Sequence, residues 1–568
     1  MRSDRPISSM FFQIDARKNF IFLIVTYITL LLLSFFSFVV PGASYVTVWL
    51  NDIMGLADIA NRVYLGQVPY RDFQLFYGPL VAIIPGLGLS LGLNLGQIFG
   101  FNGIVVASLL CIPGIIILSR RFTVIPSLLI LFFAWILIVV PIGETQSFNS
   151  ISWGTFYNRQ GIAALIFIFL LYVEPEYSTL RSKLLDALAV SILLLFELYN
   201  KVTFAAVAFA FVIVNTTVSR HNRHVSLLGA LFAVVFALLF EALFHFHVNY
   251  FQNILQTSRM VTGHLFGLWS ILSVLIGISP FIFSCLAALL LAFFAGRRSW
   301  VDVLYATGVL VASMFITMTT GAVNTYGIPI LIVAVFTSIG ELARRSESRK
   351  ISETNLKFKT VLSHYPVFIV CLCFLVMSIS IESENRLLVW HDFASKVTRY
   401  HSSDDIPNRL SSILTKNNAG SLRNKYGGGG LRTSEYMKTL IDGSKKLSSI
   451  GQHDRSVITF DMVNPFPYAN DMIPPVMGYP LFWLNGSINI DDGILPTPSQ
   501  FFGNTFYVMV PVLPIDPVQL EIMMKLYGSY LKQNYSIVEK TEYWEIWSKK
   551  IPESAKLLNT ASITPSFA

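Results

Sequence analysis

Through the first two thirds of the chain, long apolar runs alternate with short polar segments. Runs such as 20–40 and 265–295 carry no charged residue, and they reach the roughly 20 apolar residues that a helix needs to cross a bilayer. The first run is longer than the core of a signal peptide and is followed by no A-x-A-like cleavage site, so it reads as a retained first helix. Apolar stretches over 20–41, 97–119, 122–141, 160–175, 184–200, 202–219, 225–244, 266–296, 300–320, 328–343 and 362–381 predict about 11 transmembrane helices. The Gly- and Pro-containing stretch 79–95 reads as a helix at the outer interface. After residue 381 the long runs stop: 456–460 and 506–512 read as strands, 518–533 as a helix, and the glycine tract 427–430 with Asn-, Ser- and Pro-rich turns as loops. The expected architecture is an α-helical multi-pass membrane protein, 1–381, with a long first outer loop, 42–96, and a C-terminal extracytoplasmic α/β domain, 382–568.

Charge orients the spans. If the N-terminal Arg2, Arg5, Arg17 and Lys18, the basic pairs Arg120 and Arg121, Arg181 and Lys183, Arg220 and Arg223, Arg297 and Arg298 and the run from Arg344 to Lys359 are cytoplasmic, 18 of the 41 Lys and Arg fall in cytoplasmic segments. Only Arg62, Arg71, Arg159, Lys201 and Arg259 then lie in outer loops, as the positive-inside rule requires. The N-terminus is thereby placed inside and the C-terminal domain outside, in a membrane expected to be the plasma (inner) membrane. The 187 residues after 381 hold another 18 basic residues.

Composition agrees: 54% of the 568 residues are hydrophobic and 13% charged, with a mean hydropathy of +0.60, which excludes a single water-soluble globule. Cys111, Cys285, Cys371 and Cys373 all lie in apolar runs, so neither a disulfide framework nor a zinc site is indicated. A Walker A lysine loop, a dinucleotide fingerprint and a G-x-S-x-G elbow are missing from the sequence. The basic balance needs no nucleic-acid partner, because the positive-inside rule accounts for the loop charges.

The long first outer loop holds Asp52, Asp58 and Asp72. Asp52 follows the first helix by about ten residues, close to the membrane surface, where a lipid-linked substrate presents its head group and a carboxylate can serve as general base on a hydroxyl. By spacing alone these acids also fit helix caps or solvation of the loop. Arg159, at the outer start of the fourth span, and Lys201, between the fifth and sixth, lie at headgroup depth. Cations there hold a phosphate and neutralise it as a leaving group, or simply snorkel. Arg71 joins them as a candidate phosphate ligand, and Tyr157, Asn158, Arg259, His264 and Asn324 are candidate donor or acceptor contacts. Glu144, Glu197 and Glu241 lie near outer helix ends. His245 and His247 read as interfacial histidines, with no third ligand beside them to make a metal site.

The order Asn51-Asp52-Ile53-Met54-Gly55-Leu56-Ala57-Asp58 through Gly66, then Val68-Pro69-Tyr70-Arg71-Asp72-Phe73 and Tyr77-Gly78-Pro79-Leu80, resembles the first outer loop of polyprenyl-phosphate-sugar glycosyltransferases of the GT-C fold, the superfamily of the protein O-mannosyltransferases, the lipid A aminoarabinose transferases and the catalytic subunit of oligosaccharyltransferase. The resemblance implies that Asp52 is the catalytic acid and Asp72 the second acid. Ile53 stands where the family places a Glu, so a paired-acid role falls to Asp58 or Asp72 or is absent, and a divalent metal is left open. The implied activity is transfer of a sugar, with inversion, from a polyprenyl-phosphate donor to an extracytoplasmic glycan, lipid or protein. The competing readings are a transporter or flippase for a lipid-linked glycan, and a non-catalytic membrane-anchored glycan assembly protein.

Overall fold

The computed structural model describes residues 16–142, 150–175, 178–218, 220–255, 300–320, 384–398, 407, 409–415, 433–450, 453–484 and 495–550. The expected spans 266–296, 328–343 and 362–381, the tract 427–430 and Glu144 lie outside these. The chain divides into two compact units, Met1–Tyr45 with Phe76–Tyr400, and Val46–Leu75 with His401–Ala568.

The first unit is helical: α1 is Ala16–Phe38, α3 Leu80–Ser90, α4 Leu95–Arg121, α5 Val124–Val139, α6 Phe156–Leu170, α7 Leu180–Asn200, α8 Val202–Val218, α9 Arg220–Phe244 and α10 Trp300–Thr320, while Leu50–Tyr64, α2, belongs to the second unit. Among the described residues α1, α4 and α9 are long and apolar enough to cross a membrane. Their outward faces are themselves apolar: Ile21, Val25, Ile28, Leu32 and Phe36 on α1 and Leu227, Leu231, Val235 and Leu238 on α9 are all exposed, as suits a helix whose solvent is lipid. α3 has 11 residues, about 16 Å at 1.5 Å per residue, so it is half the length a span requires.

Some polar groups between these helices are paired. Asn19 donates to the Phe122 carbonyl (2.9 Å) and Trp135 Nε1 to Ser34 Oγ (3.0 Å). At the ends of α4, α7 and α9, buried Asp186 accepts from Arg120 and Arg121 (2.8 Å for Arg121 Nη2) and lies 3.4 Å from His221 Nε2. Arg120 and Arg121 are thus stapled to neighbouring helices.

A helix over 384–397, expected in the soluble domain, belongs to the first unit. Val389, Phe393 and Val397, four residues apart, are buried, and Phe393 packs on Phe38 (5.2 Å between rings) and Trp153. Its charged residues make it look soluble, yet the repeated apolar position decides where it packs.

In the second unit a four-stranded sheet, β1 Val457–Thr459, β2 Tyr507–Pro511, β3 Tyr535–Lys540 and β4 Trp544–Lys549, runs in the order β1-β2-β4-β3, with β1 parallel to β2 and the other pairs antiparallel. Leu447, Val457, Phe466, Met509, Trp544 and Ile546 form its core. The helix over Thr433–Ile450 is fixed by Trp544 Nε1 donating to the Thr439 carbonyl (2.8 Å), and the helix over Pro517–Asn534 starts with Asp516 as N-cap and Pro517 at N1.

The segment expected to be a loop of the membrane domain instead folds into this second unit. The reason is local: Ile53, Met54, Leu56, Ala57, Ile59 and Ala60 make α2 amphipathic and are buried. A Cβ at Gly55 would sit tightly against Val463 (3.0 Å) and Leu481 (3.1 Å), so glycine lets the helix approach them closely. Backbone bonds continue the attachment, from Gln74 N to Gly478 O (3.2 Å) and from Met477 N to Asp72 O (2.6 Å).

Candidate active site

The expected site residues fall into two groups, one in each unit. In the second unit the chain enters α2 through Trp49, which holds φ at 54°. A bulky residue in the left-handed region is strained, and such strain concentrates at functional positions. Asp52 follows in the first turn, where the helix dipole favours a negative charge. It is half-buried and accepts from Asn51 Nδ2 (3.0 Å). Its charge reaches Tyr436: burial first, then the carboxylates of Asp461 and Asp52, push that phenol well above its usual range.

Asp58 differs. It is fully buried and paired with Arg62 Nε at 3.0 Å, one helical turn on. Burial pushes its carboxyl up and the guanidinium opposes that. Arg62 Nη1 also donates to Gln67 Oε1 (3.1 Å) and the Pro475 carbonyl (2.7 Å). The pair therefore ties α2 to the rest of the unit.

Asp72 closes a tight turn. It accepts from Val68 N (2.8 Å) and takes a two-pronged bond from Arg71, 2.9 and 2.7 Å; the Arg71 bond, more than any other cause, holds its carboxyl below the usual range. Tyr70 beside it has φ 67°. Arg71 is thus committed to Asp72, a geometry suited to shaping the loop.

In the first unit α6 is likewise entered through a strained residue, Thr155 at φ 58°. Lys201 Nζ donates to Asn158 Oδ1 (3.0 Å) and lies over the Tyr157 ring (5.5 Å). Tyr77 packs on Tyr157 (4.3 Å), Asn200 Nδ2 donates to the Tyr157 carbonyl (2.8 Å), and Gly78 N donates to the Asn200 carbonyl (2.9 Å). Gly78 lies so close to the Tyr199 carbonyl that no side chain fits. The Tyr77-Gly78 segment, Tyr157-Asn158 and Asn200-Lys201, separate in sequence, are one cluster. Arg159, expected at headgroup depth, is fully buried and donates to the Val140 carbonyl. Glu197, in the last turn of α7, is fully buried, with neither carboxylate oxygen hydrogen-bonded among the described residues. His247 lies between Glu241 (2.8 Å) and the Tyr199 hydroxyl (2.8 Å). Among the described residues no three His, Cys, Asp or Glu are grouped to hold a metal ion. Arg259, His264 and Asn324 lie outside the described residues.

Sequence reasoning missed Asp461. It is fully buried at the end of β1 and accepts from Met462 N (2.8 Å) and Ile515 N (3.0 Å). Burial pushes its carboxyl up to about 7, against the pull of those two donors. The folded unit thus binds the proton more tightly than the unfolded chain. That stability is fully present below the unfolded carboxyl value near 4 and is lost as pH rises through about 7, roughly 4 kcal/mol in all. Unfolding of the full chain followed by tryptophan fluorescence should show a midpoint that falls from pH 4 to 7, with that fall flattened in Asp461→Asn; equal slopes would refute the assignment.

No protein-family description matches this chain, and no curated protein does. Among solved structures, it is similar to ArnT from Cupriavidus metallidurans bound to undecaprenyl phosphate, at 10% identity and a TM-score of 0.46, over 93% of this chain and 98% of that one. It is similar to the archaeal oligosaccharyltransferase AglB from Archaeoglobus fulgidus, at 10% identity and a TM-score of 0.36, over 94% and 75%. Arabinofuranosyltransferase AftD from Mycobacteria follows, at 12% identity and a TM-score of 0.41, over 94% of this chain and 40% of AftD.

Proposed function

We propose that the chain is an integral membrane glycosyltransferase that moves a sugar from a polyprenyl-phosphate donor to an acceptor outside the cytoplasm, with inversion. The observation that carries this reading is Asp52. It is a half-buried acid in the first turn of the helix after the first span, inside the stretch that resembles the GT-C first loop. As the acceptor oxygen bonds to the anomeric carbon, Asp52 takes its proton; the bond from that carbon to the phosphate breaks, and the polyprenyl phosphate leaves as an anion. A carboxylate is too weak to deprotonate a hydroxyl in the ground state, so transfer in the transition state is the chemistry open to it.

Lys201 is the proposed phosphate ligand, aimed by Asn158 and resting on Tyr157. Arg159 is proposed to add positive potential from within the bundle, Arg71 to act through Asp72, and eleven spans with an outer C-terminal domain complete the reading. Replacing Lys201 by Ala removes a charge-assisted bond, and kcat/KM for the donor should fall about 10- to 100-fold in a transfer assay with unfolding unchanged. Unaltered kcat/KM would take Lys201 out of the site. Asp72→Asn loosens the bonds from Arg71 that help close this turn and should cost less than tenfold in the same assay.

A further inference from the structure

The last carbonyls of a helix have no partner further along it, and Lys201 stands where α7 ends, its backbone already extended (φ −162°, ψ 125°). Partners for this end come from two other parts of the first unit. The Asn200 carbonyl accepts from Gly78 N (2.9 Å), and the Leu198 carbonyl accepts from the Tyr250 hydroxyl (2.6 Å). The side chain between them is held too: the Tyr199 hydroxyl lies 2.8 Å from His247 Nε2. His245, left-handed at φ 51°, ends α9 and turns the chain so that residues 247 and 250 both reach α7.

The imidazole is itself fixed. Glu241 Oε2 accepts from both the backbone N and the Nδ1 of His247, 2.8 Å each, and the Phe246 ring stacks on it (4.4 Å, 19°). With Nδ1–H committed to the carboxylate, Nε2 is the acceptor for the Tyr199 O–H. A Glu-His-Tyr line thus runs from α9 to the last turn of α7. Two residues past Tyr199, Lys201 donates to Asn158 and lies over Tyr157. A phosphate ligand has to be held within about 0.5 Å of its productive place. Apolar packing has no preferred direction and lets a helix end turn slightly, whereas hydrogen bonds are directional and fix it. His247 is buried, as suits a group that acts through its neighbour.

We propose that His247 is a positioning residue for the donor phosphate: through Tyr199 it fixes the helix end that aims Lys201. The inference rests on Lys201 being the phosphate ligand. The test is native mass spectrometry of the full chain with undecaprenyl phosphate and with undecaprenol, which lacks the phosphate, read as the ratio of the two affinities. Tyr199→Phe keeps the ring and removes the hydroxyl; it should lower the preference for the phosphate about 2- to 10-fold, with undecaprenol binding and the unfolding midpoint little changed. His247→Phe should do the same, and His247→Gln, whose amide reaches the place of Nε2, should recover most of the loss. Lys201→Ala should lower the preference about 10- to 100-fold. Adding Tyr199→Phe to Lys201→Ala should then change nothing further, because one effect runs through the other. Should His247→Phe fail to fold, Tyr199→Phe decides alone. An undiminished preference in Tyr199→Phe, an equal loss of undecaprenol binding, or full additivity with Lys201→Ala would overturn the positioning role and leave Lys201 as the ligand. A preference untouched by Lys201→Ala would instead overturn the reading beneath, and the role of His247 with it.

Discussion

Asp52→Asn should lower transfer to acceptor by about 10² to 10⁴-fold, the range over which a general base acts, while leaving expression, unfolding and donor binding as they are. The substitution keeps the shape of the side chain and its place in the first turn of α2. What it removes is the acceptor for the hydroxyl proton. The measurement is the single-turnover rate at saturating donor, with donor binding followed separately, so that a loss of kcat is told apart from a loss of affinity. Near-normal turnover would remove Asp52 as the base and pass the role to Asp72, whose carboxylate would then have to leave Arg71 during the reaction.

Asp58→Ala should have the second large effect, and of a different kind. With Asp58 gone, Arg62 keeps its charge in a fully buried position. Breaking a buried ion pair from one side costs about 3–5 kcal/mol. The unfolding midpoint of the second unit should drop markedly in a denaturant titration, with the transfer rate per folded molecule within a fewfold of wild type. A stable Asp58→Ala protein with abolished turnover would reverse the assignment and make Asp58 a catalytic acid.

Much of the helical unit is legible because burial in lipid needs only an unbroken apolar run, a property of consecutive residues. α1, α4 and α9 follow from it within a few residues, as do β1, β2 and the helix over Pro517–Asn534 from their local patterns. The pairing of Asp58 with Arg62 was legible too, as opposite charges four residues apart on an amphipathic helix. The attachment of Val46–Leu75 to the C-terminal residues was not legible, because it depends on Gly55 meeting Val463 and Leu481, about 400 residues away. β3 and β4 were hidden for a related reason: β3 is an edge strand whose residues after Tyr535 are largely exposed and partly charged, so its alternation is weak. Asp461 looks like an ordinary turn acid in sequence; only the packing that buries it makes it unusual.

Sugar transfer and sugar transport differ in what happens to the donor, so the most direct measurement is mass spectrometry of the lipid in liposomes that contain the purified chain, a polyprenyl-phosphate sugar and a glycan acceptor. If the chain is a transferase, free polyprenyl phosphate should accumulate in step with glycosylated acceptor, with the anomeric configuration inverted, and both should stop with Asp52→Asn. An intact donor that merely moves from one leaflet to the other, equally in wild type and Asp52→Asn, would contradict it.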